Sequence, residues 1–449
     1  MNPNRDPNRR KPHMPSNTTR WIAILAIALH GAGIAFSQTA PSADNRALIN
    51  ALVRKGILTD DEARQIAAEV AKSQSAQDVE TSGDPYVQKL ALTGRFQTQY
   101  VGLGTRIGGG PANPASTEHF MLRRAQIGLA AQFAGGFSGV LTYDLSNTAF
   151  DKAFLQWNAD PLLVVQAGLN KAPFGYEELA SSGELRAIER SEVTRYIDEP
   201  SNGRRLGAAS QRTGIFVGGA KDGFFYSAAL TNPERNEYSG DATNTAILVN
   251  GQGGVGNYGN GATNKFAYYA TVGYGGAWEG GGAEGSYKLG YETGFLPDQG
   301  GPGATTGTGR NITLNGVFLD TTLGAFNLQA EWEQAQDDAG VANGVSATPR
   351  GYWIQPSYRF TPQWEGVVNY STINSDGRGV ALSDVIRSAP SGGTMDKSSE
   401  WYLGVNYYIK GNDVKLQAGY VHGQSKDTVT GAPASAETDG VRSQVQVQF

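Results

Sequence analysis

The chain has 449 residues, with 37 Lys+Arg against 42 Asp+Glu, 60 Gly, four His and no Cys. The missing Cys excludes disulfides, thiol catalysis, Cys-bound zinc or iron–sulfur centres and the anchoring cysteine of a lipoprotein. Glycine at about twice its ordinary share, beside only 18% charged residues, departs from the profile of a soluble chain of two or three domains.

Residues 1–37 read as an export signal. Arg5, Arg9, Arg10, Lys11 and Arg20 form a basic start, Trp21 to Leu29 is an apolar run of nine, and Ala35-Phe36-Ser37 supplies small residues at the cleavage positions. Nine apolar residues fall short of the roughly 20 that a membrane-spanning helix needs, and no later segment reaches 18 consecutive apolar residues. Without this leader the chain holds 32 bases against 41 acids, a net charge of −9. That balance opposes a general nucleic-acid surface. Two His, His119 and His422, lie beyond the leader. With so few, no metal site, cofactor or catalytic set is expected, and the chain does not read as an enzyme.

Residues 38–85 hold a helical part, over 44–75, and a linker. Leu48, Ile49, Leu52 and Val53 recur at helical spacing, Gly56 can close that helix, and Thr59-Asp60-Asp61-Glu62 fits a capping box for a second one. The expectation is a short periplasmic helical hairpin and a polar linker ending at Gly83-Asp84-Pro85.

From Tyr86 to Phe449 the period changes to two. Leu90, Leu92, Phe96 and Tyr100 alternate with Lys89, Thr93, Arg95, Gln97 and Gln99, and Val441, Val445, Val447 and Phe449 alternate with Arg442, Gln444, Gln446 and Gln448. Such alternation places one face in an apolar medium and the other in water. Sixteen segments repeat it, near 89–103, 119–133, 137–145, 152–159, 162–169, 213–220, 224–231, 265–274, 285–293, 310–319, 326–334, 351–360, 364–374, 400–410, 414–422 and 441–449. An eighteen-strand count stays open. Tight turns follow most even-numbered segments, with a linker at 275–284 as the exception, and long polar connections follow many odd-numbered ones. Short turns at one end, long loops at the other and an even strand number indicate an all-β transmembrane barrel in an outer membrane, about 16 antiparallel strands, over 86–449. Closure lets every backbone N–H pair internally in lipid. Aromatics near strand ends, such as Tyr100, Trp157, Trp401 and Tyr408, suit interfacial girdles.

The longest connection between neighbouring segments that also concentrates charge is 170–212, where seven bases face seven acids. Its apolar insertions, Pro173-Phe174-Gly175-Tyr176, Leu185, Ile188 and Ile197, point to packing inside the lumen rather than free solvation. In the second strand, Arg124 shares a face with Gln126 and Gln132 and so points into the lumen. Arg123 shares its face with Ile127 and Leu129, and an Arg at mid-depth in lipid costs about 2–4 kcal/mol. Arg123 therefore requires a bulge or a rim position. Gly251 to Gly256 matches G-x-G-x-x-G but lies in a Gly/Asn-rich loop without the strand–helix context of a dinucleotide site.

The chain resembles the phosphate-selective porin O and P family. The resemblance is carried by Leu52-Val53-Arg54-Lys55-Gly56-Ile57-Leu58-Thr59, Phe120-Met121-Leu122-Arg123-Arg124-Ala125, Gly168-Leu169-Asn170-Lys171-Ala172-Pro173-Phe174-Gly175, Glu189-Arg190-Ser191, Gly324 to Glu331 and Trp401 to Tyr408. It implies a homotrimeric outer-membrane channel of a Gram-negative bacterium, with bases guiding small anions such as phosphate through a constriction. On that pattern Arg124 and Lys171 are the first anion-contacting candidates, followed by Arg123 and Arg190. The family's phosphate channels carry a ladder of Arg in an outer loop, whereas Pro233 to Asn264 here holds one base, Arg235. A general porin of weak or cation preference, and a structural or adhesive barrel, are the alternatives.

Overall fold

The structure, a computed structural model, describes residues 77–78, 86–108, 115–199, 206–232, 266–280, 283–297, 311–341, 345–381, 394–428 and 435–449. The leader, the expected hairpin over 44–75 and the outer loop 233–264 lie outside the described residues.

Sixteen long strands occupy the described residues. In chain order they are β1 (Val87–Gly108), β2 (Ala115–Phe133), β3 (Phe137–Asp144), β4 (Ala149–Asp160), β5 (Leu163–Lys171), β6 (Gln211–Lys221), β7 (Phe224–Thr231) and β8 (Ala267–Gly280). They continue with β9 (Ala283–Leu296), β10 (Ile312–Leu323), β11 (Phe326–Val341), β12 (Arg350–Arg359), β13 (Trp364–Asn374), β14 (Lys397–Lys410), β15 (Val414–Lys426) and β16 (Ser435–Gln448). Each pairs antiparallel with its chain neighbour, and β16 returns to β1 from Arg95↔Gln448 to Gly108↔Ser435. Phe449 finishes the seam by exchanging backbone hydrogen bonds with Gly94 at 2.9 and 3.0 Å. The barrel is closed with sixteen strands, which removes the eighteen-strand option. Below the seam a two-residue strand, Gln77–Asp78, pairs with Ala91 and Leu92 of β1.

The tight turns fall after the even-numbered strands, as the sequence indicates. At Asp222-Gly223 both residues have positive φ, 54° and 87°, the left-handed pair that joins twisted strands most closely. The expected 275–284 linker is a correction. Gly275 pairs with Lys288 and Gly280 with Ala283, so this stretch is strand down to a two-residue connection. Its glycines have no side chains with which to display an alternating pattern.

Alternation sorts the two faces physically. Phe96, Leu122, Ile127, Leu129, Val272, Leu289, Val317, Ile354 and Leu403 are exposed on the outside, where lipid takes the place of water. Gln97, Gln99, Asn406, Gln417, Gln444 and Gln446 are buried on the inside. These amides form a belt across the seam. Gln97 donates to Gln446 at 2.6 Å, Gln99 to Gln444 at 2.8 Å, Gln444 to Gln417 at 2.8 Å and Gln417 to Asn406 at 3.0 Å. An amide carries both donors and an acceptor, so one residue type can relay the chain from strand to strand.

Two of the register shifts fall where charged residues meet the loop side of the wall. Between β1 and β2, Gln97 pairs with Arg124 and Thr98 with Leu122, leaving Arg123 as the extra residue. Between β3 and β4, Thr142 pairs with Lys152 and Tyr143 with Phe150, leaving Asp151 extra. A bulge lets two consecutive residues face one way. Arg123 thereby escapes the lipid face and reaches inward.

Ile127 lies six residues above the end of β2, roughly 15 Å into the apolar band for a strand tilted about 40°. Ile127→Arg is expected to lower barrel stability by about 2–4 kcal/mol. Urea titration of the protein folded in vesicles measures this, and an unshifted midpoint would contradict the outward assignment of that face.

Candidate pore lining and constriction loop

The chain between β5 and β6 folds into the barrel and packs on its inner wall. It contains two short helices, α1 (Tyr176–Leu179) and α2 (Glu192–Ile197). Phe174, Val193, Tyr196, Ile197 and Leu206 from the loop share a buried cluster with Phe216, Tyr269, Leu296, Leu314, Trp353 and Ile373 from the wall. Ala187 and Ile188 form a second cluster with Val101, Leu103, Val367, Tyr402 and Val421. Full burial of side chains of this size contributes about 1.5–3 kcal/mol each. This is why the 170–212 segment is rich in apolar residues despite its charge.

Polar straps complete the attachment. The Glu292 carboxylate accepts from the Gly175 N–H at 3.0 Å, and Glu331 accepts from the Glu177 N–H at 3.1 Å and the Trp353 indole at 2.9 Å. Thr271 donates to the Pro173 carbonyl at 2.6 Å, and Tyr269 to that of Ala208 at 2.8 Å. On the opposite wall the amide belt holds the loop backbone. Gln417 and Asn406 each donate to the Arg186 carbonyl at 3.0 Å, and Lys415 donates to that of Leu185 at 2.9 Å. Gly175 sits at φ 80°, and a Cβ there would meet Asp198 Oδ2 at 2.2 Å. Only glycine fits this turn in the Pro-Phe-Gly motif.

The four candidates from the sequence take different positions. Arg123 forms a two-bond ion pair with Glu189, 2.8 Å from Nε and 3.1 Å from Nη2, and this fastens the loop to β2. Arg124 is buried on the inner wall and donates to Gln97 at 2.7 Å. Lys171 pairs with Glu178 at 3.1 Å and faces the cavity described below. Arg190 is buried within the loop, where it meets Glu178 at 3.2 Å and Glu199 at 3.7 Å. Its guanidinium also donates to the carbonyls of Glu177, Glu178 and Ala180. Arg124 and Arg190 do not line that cavity. Arg204 and Arg205 lie outside the described residues.

A cavity of about 740 Å³ opens on the side of the loop nearest the tight turns. Its walls carry five bases, Lys152, Lys171, Arg186, Lys288 and Arg359, against three acids, Glu177, Glu184 and Asp320. A second cavity of about 360 Å³ shares Lys152 and Lys171 and adds Arg95. Arg186 is paired with Glu365 at 3.2 Å. Lys152, Lys288, Arg359 and Arg95 have no carboxylate at ion-pair distance among the described residues. Arg95 is held instead by neutral partners, Ser182 at 2.7 Å, Ser181 at 2.8 Å and Gln448 at 3.1 Å. Arg359 lies over the Tyr408 ring at 4.7 Å. Sequence reasoning passed over Lys152, Lys288 and Arg359, although the pattern holds a signal for two of them. Lys288 alternates with outward Tyr287 and Leu289, and Arg359 with outward Tyr358, so both belong to the inner face.

Two loop carboxyls are perturbed. Burial pushes Glu177 up to about 7, against hydrogen bonds from Ser191 and the charge of Arg190 that favour its ionised form. Burial, reinforced by Glu331 and Glu292, raises Asp198 well above the carboxylate range. Arg190 is held above its ordinary value: burial opposes its charge, but Glu178, Glu199 and Glu177 outweigh that.

Removing Arg123 would strip the main partner from a carboxylate whose side chain is 2% exposed. Arg123→Ala is expected to cost about 3 kcal/mol, read from the urea midpoint. Arg106→Ala, in a solvent-exposed pair with Glu437, is expected to stay within about 0.5 kcal/mol. Equal effects would mean that Arg123 carries no strap. The raised Glu177 value also sets a pH dependence. An acid whose folded pKa exceeds its unfolded one destabilises the fold above the folded pKa, and the penalty is relieved as pH falls through about 7 toward 4.5. The loop is expected to be held more firmly at pH 5 than at pH 8, with lower open-channel current noise. Glu177→Gln should shrink that difference, and wild-type noise that does not change with pH would refute it.

A family model described as phosphate-selective porin O and P matches residues 91–449. Among solved structures, an anion-selective porin from Comamonas acidovorans superposes with TM-score 0.50 at 12% identity, covering 80% of this chain and 99% of that one. The outer-membrane protein OmpT of Vibrio cholerae gives TM-score 0.49 at 13% identity over 83% and 100% of the two chains. The outer membrane channel DcaP of Acinetobacter baumannii gives 0.48 at 12% over 80% and 97%. No curated protein matches by sequence.

Proposed function

Since the chain belongs to the phosphate-selective porin O and P family, a family of outer-membrane channels of Gram-negative bacteria, we propose that it is a passive pore with a preference for small anions. The export leader over 1–37, read from its basic, apolar and small segments, and assembly as a homotrimer, which the family pattern implies, are part of this reading.

The observation that carries it is the cavity beside the loop. Five bases face three acids there, within a chain whose charge without the leader is −9. Selectivity in a pore is set by the charge that lines it rather than by the total. An oxyanion that enters sheds part of its hydration and gains charge-assisted hydrogen bonds from ammonium and guanidinium groups. Three acids on or near these walls already have partners. Glu178 is shared between Lys171 and Arg190, Glu189 is held by Arg123, and Asp320 accepts from Tyr176, Asn327 and Gln329. Phosphate is one candidate among the small anions.

Each unit charge about 8 Å from a passing ion is worth roughly 0.5 kcal/mol in water before screening. Lys152→Glu changes the local charge by two and is expected to lower the anion-to-cation permeability ratio about two- to fivefold. Lys171→Glu makes the same change of two at a second position on the cavity wall and is expected to lower it as well. The reversal potential of the reconstituted protein across a KCl gradient reads both. A cation-favouring wild-type potential would establish the general or cation-preferring porin instead, and absence of conductance would leave the structural barrel.

A further inference from the structure

We propose that the cavity beside the constriction loop is a binding station for planar aromatic carboxylates, with Lys288 holding the carboxylate and the rings of Phe225 and Tyr176 receiving the aromatic face. This deepens the anion-pore reading and rests on it.

Lys288 occupies an unusual place for a lumenal base. Its ammonium lies 4.6 Å from the centre of the Phe225 ring, 5.4 Å from that of Tyr176 and 5.8 Å from that of Phe318. Tyr176 and Phe318 are stacked at 4.4 Å with planes 11° apart, and Phe225 lies 6.3 Å from Phe318. One cation is therefore surrounded by three rings contributed by β7, β10 and α1. All four residues line the same 740 Å³ cavity.

The carboxylate opposite Lys288 acts on it electrostatically but makes no ion pair with it. Asp320 sits directly across the strand pair from it. Yet the Asp320 oxygens accept from the Tyr176 hydroxyl at 2.6 Å, and from Asn327 and Gln329 at 2.8 Å, and no ion pair joins Lys288 to a carboxylate among the described residues. The Tyr176 bond also fixes the ring that stacks on Phe318. The result is an ammonium without an ion pair, framed by aromatic surface in an open cavity.

A small hydrated anion would use the ammonium and gain nothing from the rings. A benzoate-like anion uses both: its carboxylate takes charge-assisted hydrogen bonds, and its ring finds offset or edge-on contact with Phe225 and Tyr176. Tyr176 belongs to the loop and Phe225 to the wall, so the station forms only while the loop is seated.

The test uses the full-length protein in a planar bilayer, with benzoate, acetate and phosphate titrated into KCl and the fractional loss of chloride current recorded. Benzoate is expected to half-saturate at about tenfold lower concentration than acetate. Phe225→Leu keeps apolar bulk without a ring, and should bring the benzoate value to within about twofold of the acetate value. Lys288→Met should weaken both carboxylates. Equal half-saturation of the wild type by benzoate and acetate, or an undiminished benzoate preference in Phe225→Leu, would overturn the proposal. The reversal potential measured on the same membranes reports anion preference separately, so the station can fail while the anion pore stands.

Discussion

A strand in hydrocarbon has nowhere to place an unpaired N–H, and each one left open would cost several kcal/mol. This constraint governs the whole molecule. The return of β16 to β1, completed by the Gly94–Phe449 exchange, leaves the barrel no open edge. Once the wall is a closed cylinder, every strand has one face in lipid and one face in water or protein. The amide belt is a consequence: buried inner side chains on adjacent strands must satisfy one another, and Gln and Asn do so from β1 across the seam to β16, β15 and β14.

The loop is the second layer of this logic. It brings apolar side chains into a polar interior, and they find partners because the wall from β6 to β13 contributes apolar residues at the same depth. It also brings acids, and these settle the electrostatics. Glu178, Glu189 and Glu199 pair with Lys171, Arg123 and Arg190, the residues that stand out in the sequence as a basic set. Those bases become fasteners, wholly for Arg123 and Arg190 and partly for Lys171. The charge left facing the cavity comes mainly from isolated bases on the wall: Lys152, Lys288 and Arg359.

The architecture was legible because lipid enforces period two over many residues, and all sixteen alternating segments correspond to strands. The glycine-rich stretch 275–284 was not, since residues without side chains cannot show which way they point. The site was only partly legible. Adjacent Arg123 and Arg124, or the Lys before Pro-Phe-Gly, attract notice as motifs, but whether a base is free depends on acids far away in sequence. Glu189 is 66 residues from Arg123, and Glu365 is 179 from Arg186. Lys288 carried its inward parity openly, yet nothing nearby in sequence signalled that Tyr176, more than a hundred residues earlier, would lie beside it.

The bulge at Arg123 has a bearing on how such a wall can vary over time. Above it Leu122 faces lipid, and below it Ile127 and Leu129 do, so the outward sets on either side differ by one in parity and are reconciled by the extra residue. The same holds at Asp151, between outward Phe150 and Leu155. Excising either residue would leave the greasy stripes on both sides in step. At these two positions the gain or loss of a single codon would alter the interior charge without disturbing the membrane surface, a freedom denied to most of a transmembrane strand.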